Sequence, residues 1–121
     1  MAEKKTLVLG ASSNPSRYAF LAVNNLRSKG HPVVAIGKHL GKVADVDIEI
    51  NRRPYDHIDT VTLYLNPANQ REYYDYILSL HPKRIIFNPG AENPQLAELA
   101  KKNGIKTMEA CTLVLLNTHQ Y

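Results

Sequence analysis

The stretch Gly10-Ala11-Ser12-Ser13-Asn14-Pro15-Ser16-Arg17 has the composition of a phosphate cradle. Gly10 permits a tight turn where a Cβ would clash, and Ala11, Ser12 and Ser13 are small enough for a ligand to approach the backbone. Asn14 or Ser13 can cap a following helix, with Pro15 at its first position, where a missing N–H costs nothing. A helix N-terminus presents unpaired N–H groups and the positive end of the helix dipole, which suits an anion such as a phosphate. Arg17, one turn in, can add a charge-assisted fork to a phosphate oxygen. A first strand-to-helix turn that binds nothing can have the same small, polar composition, so its neighbours must corroborate the reading.

Those neighbours follow from the pattern of the chain. Thr6 to Leu9 is a short aliphatic run that reads as a strand buried on both faces. Ala19, Ala22, Val23 and Leu26 then recur at i, i+3, i+4 and i+7, one apolar face of a helix that Lys29-Gly30 stops and Pro32 keeps from resuming. Val33 to Ile36 is a second strand without alternation, so strand, helix and strand form a right-handed parallel unit. It ends in Gly37-Lys38-His39. A fold that binds NAD usually has an acidic residue there for the ribose 2′-hydroxyl. The basic Lys38 suits a phosphorylated ribose, as in NADP or in the 3′-phosphate of coenzyme A, with Lys42 as a substitute; a solvated loop lysine is the plainer alternative.

Residues 40 to 60 are the least regular. Val46, Ile48 and Ile50 alternate with Asp47 and Glu49, which predicts a short strand at a sheet edge. Asn51-Arg52-Arg53-Pro54 predicts a turn, and its Arg pair is read as a solvated loop ahead of an anion contact. Thr60 to Leu65 is the next strand, and Asn66-Pro67 starts a helix with Tyr73, Ile77 and Leu80 inward and Gln70, Glu72 and Asp75 facing water. Parallel strands present their C-terminal ends on one rim, which brings Asn66 beside the first turn as a pocket residue, although capping alone also accounts for it. Arg84 to Phe87 is a strand, followed by Asn88-Pro89-Gly90; Gly90 permits close approach. Asn93-Pro94 opens a helix bearing Leu96, Leu99 and Ala100, and Ile105 to Met108 is the last strand. The expected fold is α/β: a three-layer, doubly wound sheet of five parallel strands with an extra edge piece at residues 46 to 50, all in one domain, 1–121.

Bulk properties narrow the function classes. The formal charge is +4, but the basic residues are scattered without interleaved aromatics, which argues against nucleic-acid binding. The single cysteine leaves no internal disulfide framework and suits a reducing cytoplasm. Neither a signal peptide nor a membrane span is expected. The histidines at 31, 39, 57, 81 and 119 lack metal-ligand spacing. No Gly-x-Ser-x-Gly elbow or Walker lysine occurs, and no tyrosine has a lysine four residues on. Of the fingerprint G-x-G-x-x-G only Gly10 is present, with Ser12 and Pro15 at the other glycine positions. The chemistry left is that of a binding module without visible catalytic residues.

The sequence GASSNPSR, followed by Tyr18 and an apolar helix, resembles the opening of the small stand-alone CoA-binding proteins, whose domain is similar to that of the succinyl-CoA synthetase α subunit. The resemblance covers most of the chain and implies a Rossmann-like fold that holds coenzyme A or an acyl-CoA. It implies a cofactor site of Gly10, Ala11, Ser12, Ser13, Asn14 and Arg17 for the phosphates and Lys38 near the ribose 3′-phosphate. Asn66, Asn88 and Gly90 would lie along the rim beside the pantetheine arm or pyrophosphate. Two departures stand out. Phe87-Asn88-Pro89 replaces the aromatic or Gln often found before the glycine, and Ala110 stands where the family's Asp-Arg-Cys has its arginine, although Cys111 remains. Cys111, near a helix start, is read as a buried inert thiol ahead of a reactive one. The synthetase that the chain resembles carries its phosphorylated histidine in a second domain, for which 121 residues are expected to leave no room. Alternatives are a minimal NADP-dependent oxidoreductase, or half of one completed by a partner, and an oligomeric scaffold with a vestigial pocket. A homodimer or partner subunit is left open.

Overall fold

Thr6–Leu9 (β1) is wholly buried and lies at the centre of the sheet, as its unbroken apolar run requires. The computed structural model describes residues 3–121. After β1 come α1 (Tyr18–Ser28), β2 (Val33–Ile36), β3 (Gly41–Val43), β4 (Val46–Glu49), β5 (Thr60–Leu63) and α2 (Pro67–Gln70). A 3₁₀ turn (Arg71–Tyr73), α3 (Tyr74–Ser79), β6 (Arg84–Phe87), α4 (Pro94–Lys102), β7 (Lys106–Glu109) and α5 (Thr112–Asn117) complete the chain. The sheet order is β3-β4-β2-β1-β5-β6-β7, and every neighbouring pair is parallel except β3 with β4.

Alternation along the strands divides the core into two layers. Leu7, Leu9, Leu63, Ile85 and Phe87 point toward Ile77 of α3 and Leu96 of α4. Val8, Ala35, Ile48 and Ile86 point the other way, toward Ala19, Val23 and Leu26 of α1 and Leu116 of α5. A parallel sheet covered by helices on both faces is the three-layer, doubly wound arrangement expected. Among the described residues the sheet has seven strands, not five with one edge piece. β4 is no edge piece: Ala35 pairs with Ile48 and Ile36 with Glu49, which places it one position in. The edge is β3, turned back on β4 through Ala44, whose φ of 54° supplies the reversal without the Gly that usually marks such a hairpin.

At the lower end of the sheet, where the strands begin, Tyr121 is buried and its hydroxyl pairs with Thr6 Oγ1. Its carbonyl accepts from Lys4 Nζ at 2.8 Å and from Arg84 Nη2 at 3.2 Å, and the Arg84 guanidinium lies 4.4 Å from the ring centroid. His31 meets the same ring edge-on at 5.0 Å. It is 1% exposed, its Nδ1 accepts from the Lys4 amide at 3.0 Å, and its buried Nε2 has no partner among the described residues. Burial, then the charge of Lys4, pushes its pKa below the ordinary histidine value.

At the upper end, where the parallel strands finish, the first turn is fixed against β2. The amides of Gly10 and Ala11 both donate to the Ile36 carbonyl at 2.9 Å. Gly37 lies so close beneath that a Cβ there would stand 2.2 Å from the Ala11 carbonyl oxygen.

Two outcomes follow from these contacts. Gly37→Ala lowers stability by about 3 kcal/mol, the upper range for forced overpacking, because the obstacle is backbone and not a mobile side chain. Urea unfolding with an unchanged midpoint would refute that. For His31 the unfolded chain binds the proton at about pH 6.5 while the folded chain binds it only at lower pH. Stability is therefore lost as pH falls through that window and levels off below the folded value. Unfolding free energies measured between pH 7.5 and 5 decline in the native chain, and less so in His31→Gln.

Candidate functional site

The strand order reverses at β1, with β2 on one side and β5 on the other. Connections leaving two adjacent strands toward opposite faces open a crevice above their C-terminal ends, the usual ligand position in such sheets. Here a cleft of about 760 Å³ occupies that place, within the range of cofactor pockets. Its residues come from the ends of four strands: Gly10 to Asn14 after β1, Gly37 to His39 after β2, Tyr64 to Asn66 after β5 and Pro89 to Ala91 after β6. The start of α1 adds Arg17, Tyr18 and Ala19, and the segment after α2 adds Glu72 and Tyr73.

Nine of the ten residues singled out from the sequence line this one cleft: Gly10, Ala11, Ser12, Ser13, Asn14, Arg17, Lys38, Asn66 and Gly90. Asn88 does not. It is 2% exposed and lies below the rim, where Nδ2 donates to Thr62 Oγ1 at 2.6 Å and to the Leu63 carbonyl at 2.8 Å. Its Oδ1 accepts from the Thr112 amide at 2.9 Å. With both ends of the amide engaged, Asn88 ties β5, β6 and the start of α5 together. Lys42, the substitute for Lys38, sits on β3 outside the lining. Cys111 is the half-buried residue preceding α5, also outside it.

The helix start differs from expectation. α1 begins at Tyr18, with Arg17 in extended conformation before it, so neither Ser13 nor Asn14 caps it and Pro15 is not its first residue. Asn14 closes a local turn instead, its Oδ1 accepting from the Ser16 amide at 3.0 Å and the Ser16 hydroxyl at 2.8 Å. This extends the turn and brings more main chain to the cleft. Among the described residues, the N–H groups of Ser12, Ser13, Tyr18 and Ala19 have no internal acceptor. Four such donors belong to residues that line one cleft, two of them in the first turn of α1, an arrangement of a kind that suits an anion.

The opposite wall depends on a residue that periodicity misassigned. Gln70, expected to face water, is fully buried. Its Nε2 donates to the carbonyls of Leu65 at 2.8 Å and Ala91 at 2.7 Å, and its Oε1 accepts from Asn93 Nδ2 at 2.9 Å. The helix breaks at this point into α2, the 3₁₀ turn and α3, which lets the side chain reach inward between two rim loops. Asn66 and Asn93 do cap their helices: Asn66 accepts from the Asn69 amide at 2.9 Å, and Asn93 from the amides of Gln95 and Leu96 at 3.1 and 3.2 Å.

Arg17 and Lys38 supply positive charge at the cleft, and Glu72 is the one carboxylate among its lining residues. Tyr64 contributes a buried hydroxyl near Thr62 and Thr112 that makes no well-formed hydrogen bond among the described residues. Burial pushes its pKa up beyond the usual tyrosine range, so it remains a neutral phenol and no base. Sequence reasoning missed Tyr64, Glu72 and Tyr73 as cleft residues, because each reads as an ordinary strand or helix position. Among the described residues no cluster of His, Cys, Asp or Glu is arranged to hold a metal, and no helix is long and apolar enough to cross a membrane.

No curated protein matches the chain. An uncharacterized protein of known crystal structure is 48% identical over 100% of both chains, with a TM-score of 0.97. A hypothetical protein from Pyrococcus horikoshii OT3 is 21% identical, covers 96% of this chain and 83% of its own, and has a TM-score of 0.86. A protein from Thermus thermophilus is 21% identical over 98% of this chain and 91% of its own, with a TM-score of 0.83. These last two share the fold. The family model for the CoA binding domain matches residues 4–117, nearly the whole length, and the chain therefore belongs to the CoA-binding domain family.

Proposed function

We propose that the protein binds coenzyme A or an acyl-CoA in the cleft above β1 and β5, as a carrier, sensor or subunit. The observation that carries this reading is the set of unpaired amides at Ser12, Ser13, Tyr18 and Ala19, adjoining Arg17 in a cleft that Lys38 also lines. Those amides suit the diphosphate, because each donates to a charged oxygen without rearrangement. Lys38 suits the ribose 3′-phosphate, and an acidic residue for a free 2′-hydroxyl is missing at that bend. Asn66 and Gly90 then border the pantetheine arm, with Asn88 supporting the rim from below. The reading requires no reaction step in this chain.

The competing assignment, an NADP-dependent oxidoreductase, also fits Lys38. The first turn weighs against it, since Pro15 occupies the position of the fingerprint's third glycine, where a dinucleotide site needs close helix–strand packing.

Thermal melts with CoA, dephospho-CoA, NAD and NADP in parallel separate the readings. A ligand at about 100 times its dissociation constant adds about 2.7 kcal/mol, a shift of several degrees. CoA is expected to raise the midpoint most and dephospho-CoA less; NADP alone raising it would favour the oxidoreductase, and no shift at all would leave a scaffold. In Lys38→Ala the gap between CoA and dephospho-CoA narrows. A gap that stays the same would assign the 3′-phosphate to another residue.

A further inference from the structure

The cleft read above as an anion site has a carboxylate in its wall. Glu72 faces it from the 3₁₀ turn with 64% of its side chain exposed. A bare carboxylate there repels every phosphate that enters. It is not bare. Arg52, from the segment after β4, donates through Nη2 to Glu72 Oε2 at 2.8 Å and through Nη1 to the Glu72 carbonyl at 2.8 Å. The guanidinium also lies 4.2 Å from the centroid of the neighbouring Tyr73 ring. The segment carrying it is held on both sides: Arg53 approaches Glu49 at 3.7 Å, and its carbonyl accepts from the Tyr76 hydroxyl at 2.6 Å.

One bond to a main-chain carbonyl, one to a carboxylate and a stacked face fix Arg52 more closely than an ordinary surface ion pair. Yet with side chains 39% and 64% exposed, the pair adds little to folding. Its consequence falls on the charge of the cleft. We propose that Arg52 is a specificity-determining residue that acts through Glu72: by neutralising the cleft's one carboxylate it admits polyanionic ligands. This rests on the reading of the cleft as a phosphate-binding site. Without Arg52 the wall is negative, and binding falls most for the ligands with the most phosphate.

The test is a double-mutant cycle read by calorimetric titration, with CoA and, separately, inorganic pyrophosphate as probes. Arg52→Met keeps an unbranched stem against Tyr73 and removes the charge. It is expected to weaken both probes about fivefold at low salt, the scale of one unscreened charge at contact distance in a high dielectric. The loss shrinks above about 0.15 M salt, where screening sets in within roughly 8 Å. Glu72→Gln alone, which leaves the Arg52 charge uncompensated, binds both probes more tightly, and Arg52→Met/Glu72→Gln returns to within about twofold of the native chain. Native affinity in Arg52→Met would overturn the proposal. So would a double variant as weak as Arg52→Met, which would make Arg52 merely structural, or a weaker Glu72→Gln, which would make Glu72 a ligand contact. A native chain that binds pyrophosphate but not CoA would sink the CoA reading alone, with the order of variants on pyrophosphate still deciding the role of Arg52. Binding of neither probe would end both.

Discussion

The site depends on one carbonyl accepting two consecutive amides. Ile36, the last residue of β2, receives both Gly10 and Ala11, so the chain leaving β1 must bend across the end of β2 at once. Gly10 takes φ of +93°, and a side chain there would meet the Tyr64 backbone at 2.9 Å. From the other side, Gly37 leaves room for the Ala11 carbonyl. Two glycines just past the ends of adjacent strands thus let three chain segments come within contact of one another. Once the Ile36 carbonyl is taken, the next two amides, Ser12 and Ser13, have no internal partner among the described residues and belong to the cleft. The candidate surface is a by-product of how tightly the strand ends pack.

The rest of the rim is held by buried amides rather than apolar contact. Gln70 joins the loop after β5 to the loop after β6 and to the capping Asn93, whose Nδ2 also donates to the Tyr74 hydroxyl at 2.7 Å. Asn88, Thr62 and Thr112 form a second such group under β5, β6 and α5, with the two threonine hydroxyls 2.7 Å apart. Networks of this kind are rigid because breaking any member leaves the others buried and unpaired, at about 1–3 kcal/mol each. Loops that would otherwise move are therefore set at fixed distances, which preorganises the cleft.

The layers and central strands were legible because burial on both faces leaves an unmistakable mark: Thr6–Leu9, Val33–Ile36 and Arg84–Phe87 have the bounds that their apolar runs predicted. Asn66-Pro67 and Asn93-Pro94 were legible as helix starts because cap and proline act locally. What escaped was set by distant partners. Gln70 is polar on a polar face of its own helix, and only the carbonyls of Leu65 and Ala91 draw it inside. Asn88 looks like a rim residue until Thr112, far along the chain, claims its oxygen. Asn14-Pro15 has the same cap-plus-proline signature as the two true starts, but Asn14 spends its side chain on Ser16 and the helix waits until Tyr18. β3 was invisible because three residues with a single buried side chain carry no period.

Under the proposed reading, amides and side-chain cations make unequal contributions to holding a diphosphate. Arg17 and Lys38 are both exposed, and a solvated cation paired with an anion is worth at most about 1 kcal/mol and is weakened by salt. A preformed amide donating to a charged oxygen contributes about 1.5–3 kcal/mol and loses no side-chain freedom. With several such amides available, the main chain dominates affinity and the cations discriminate among ligands. This is why the identity of Lys38 bears on CoA against dephospho-CoA but not on binding as such, and why one masked carboxylate, Glu72, can be accommodated in the wall. A site organised in this way loses only part of its affinity when one charged residue is exchanged and fails when Gly10 or Gly37 acquires a side chain.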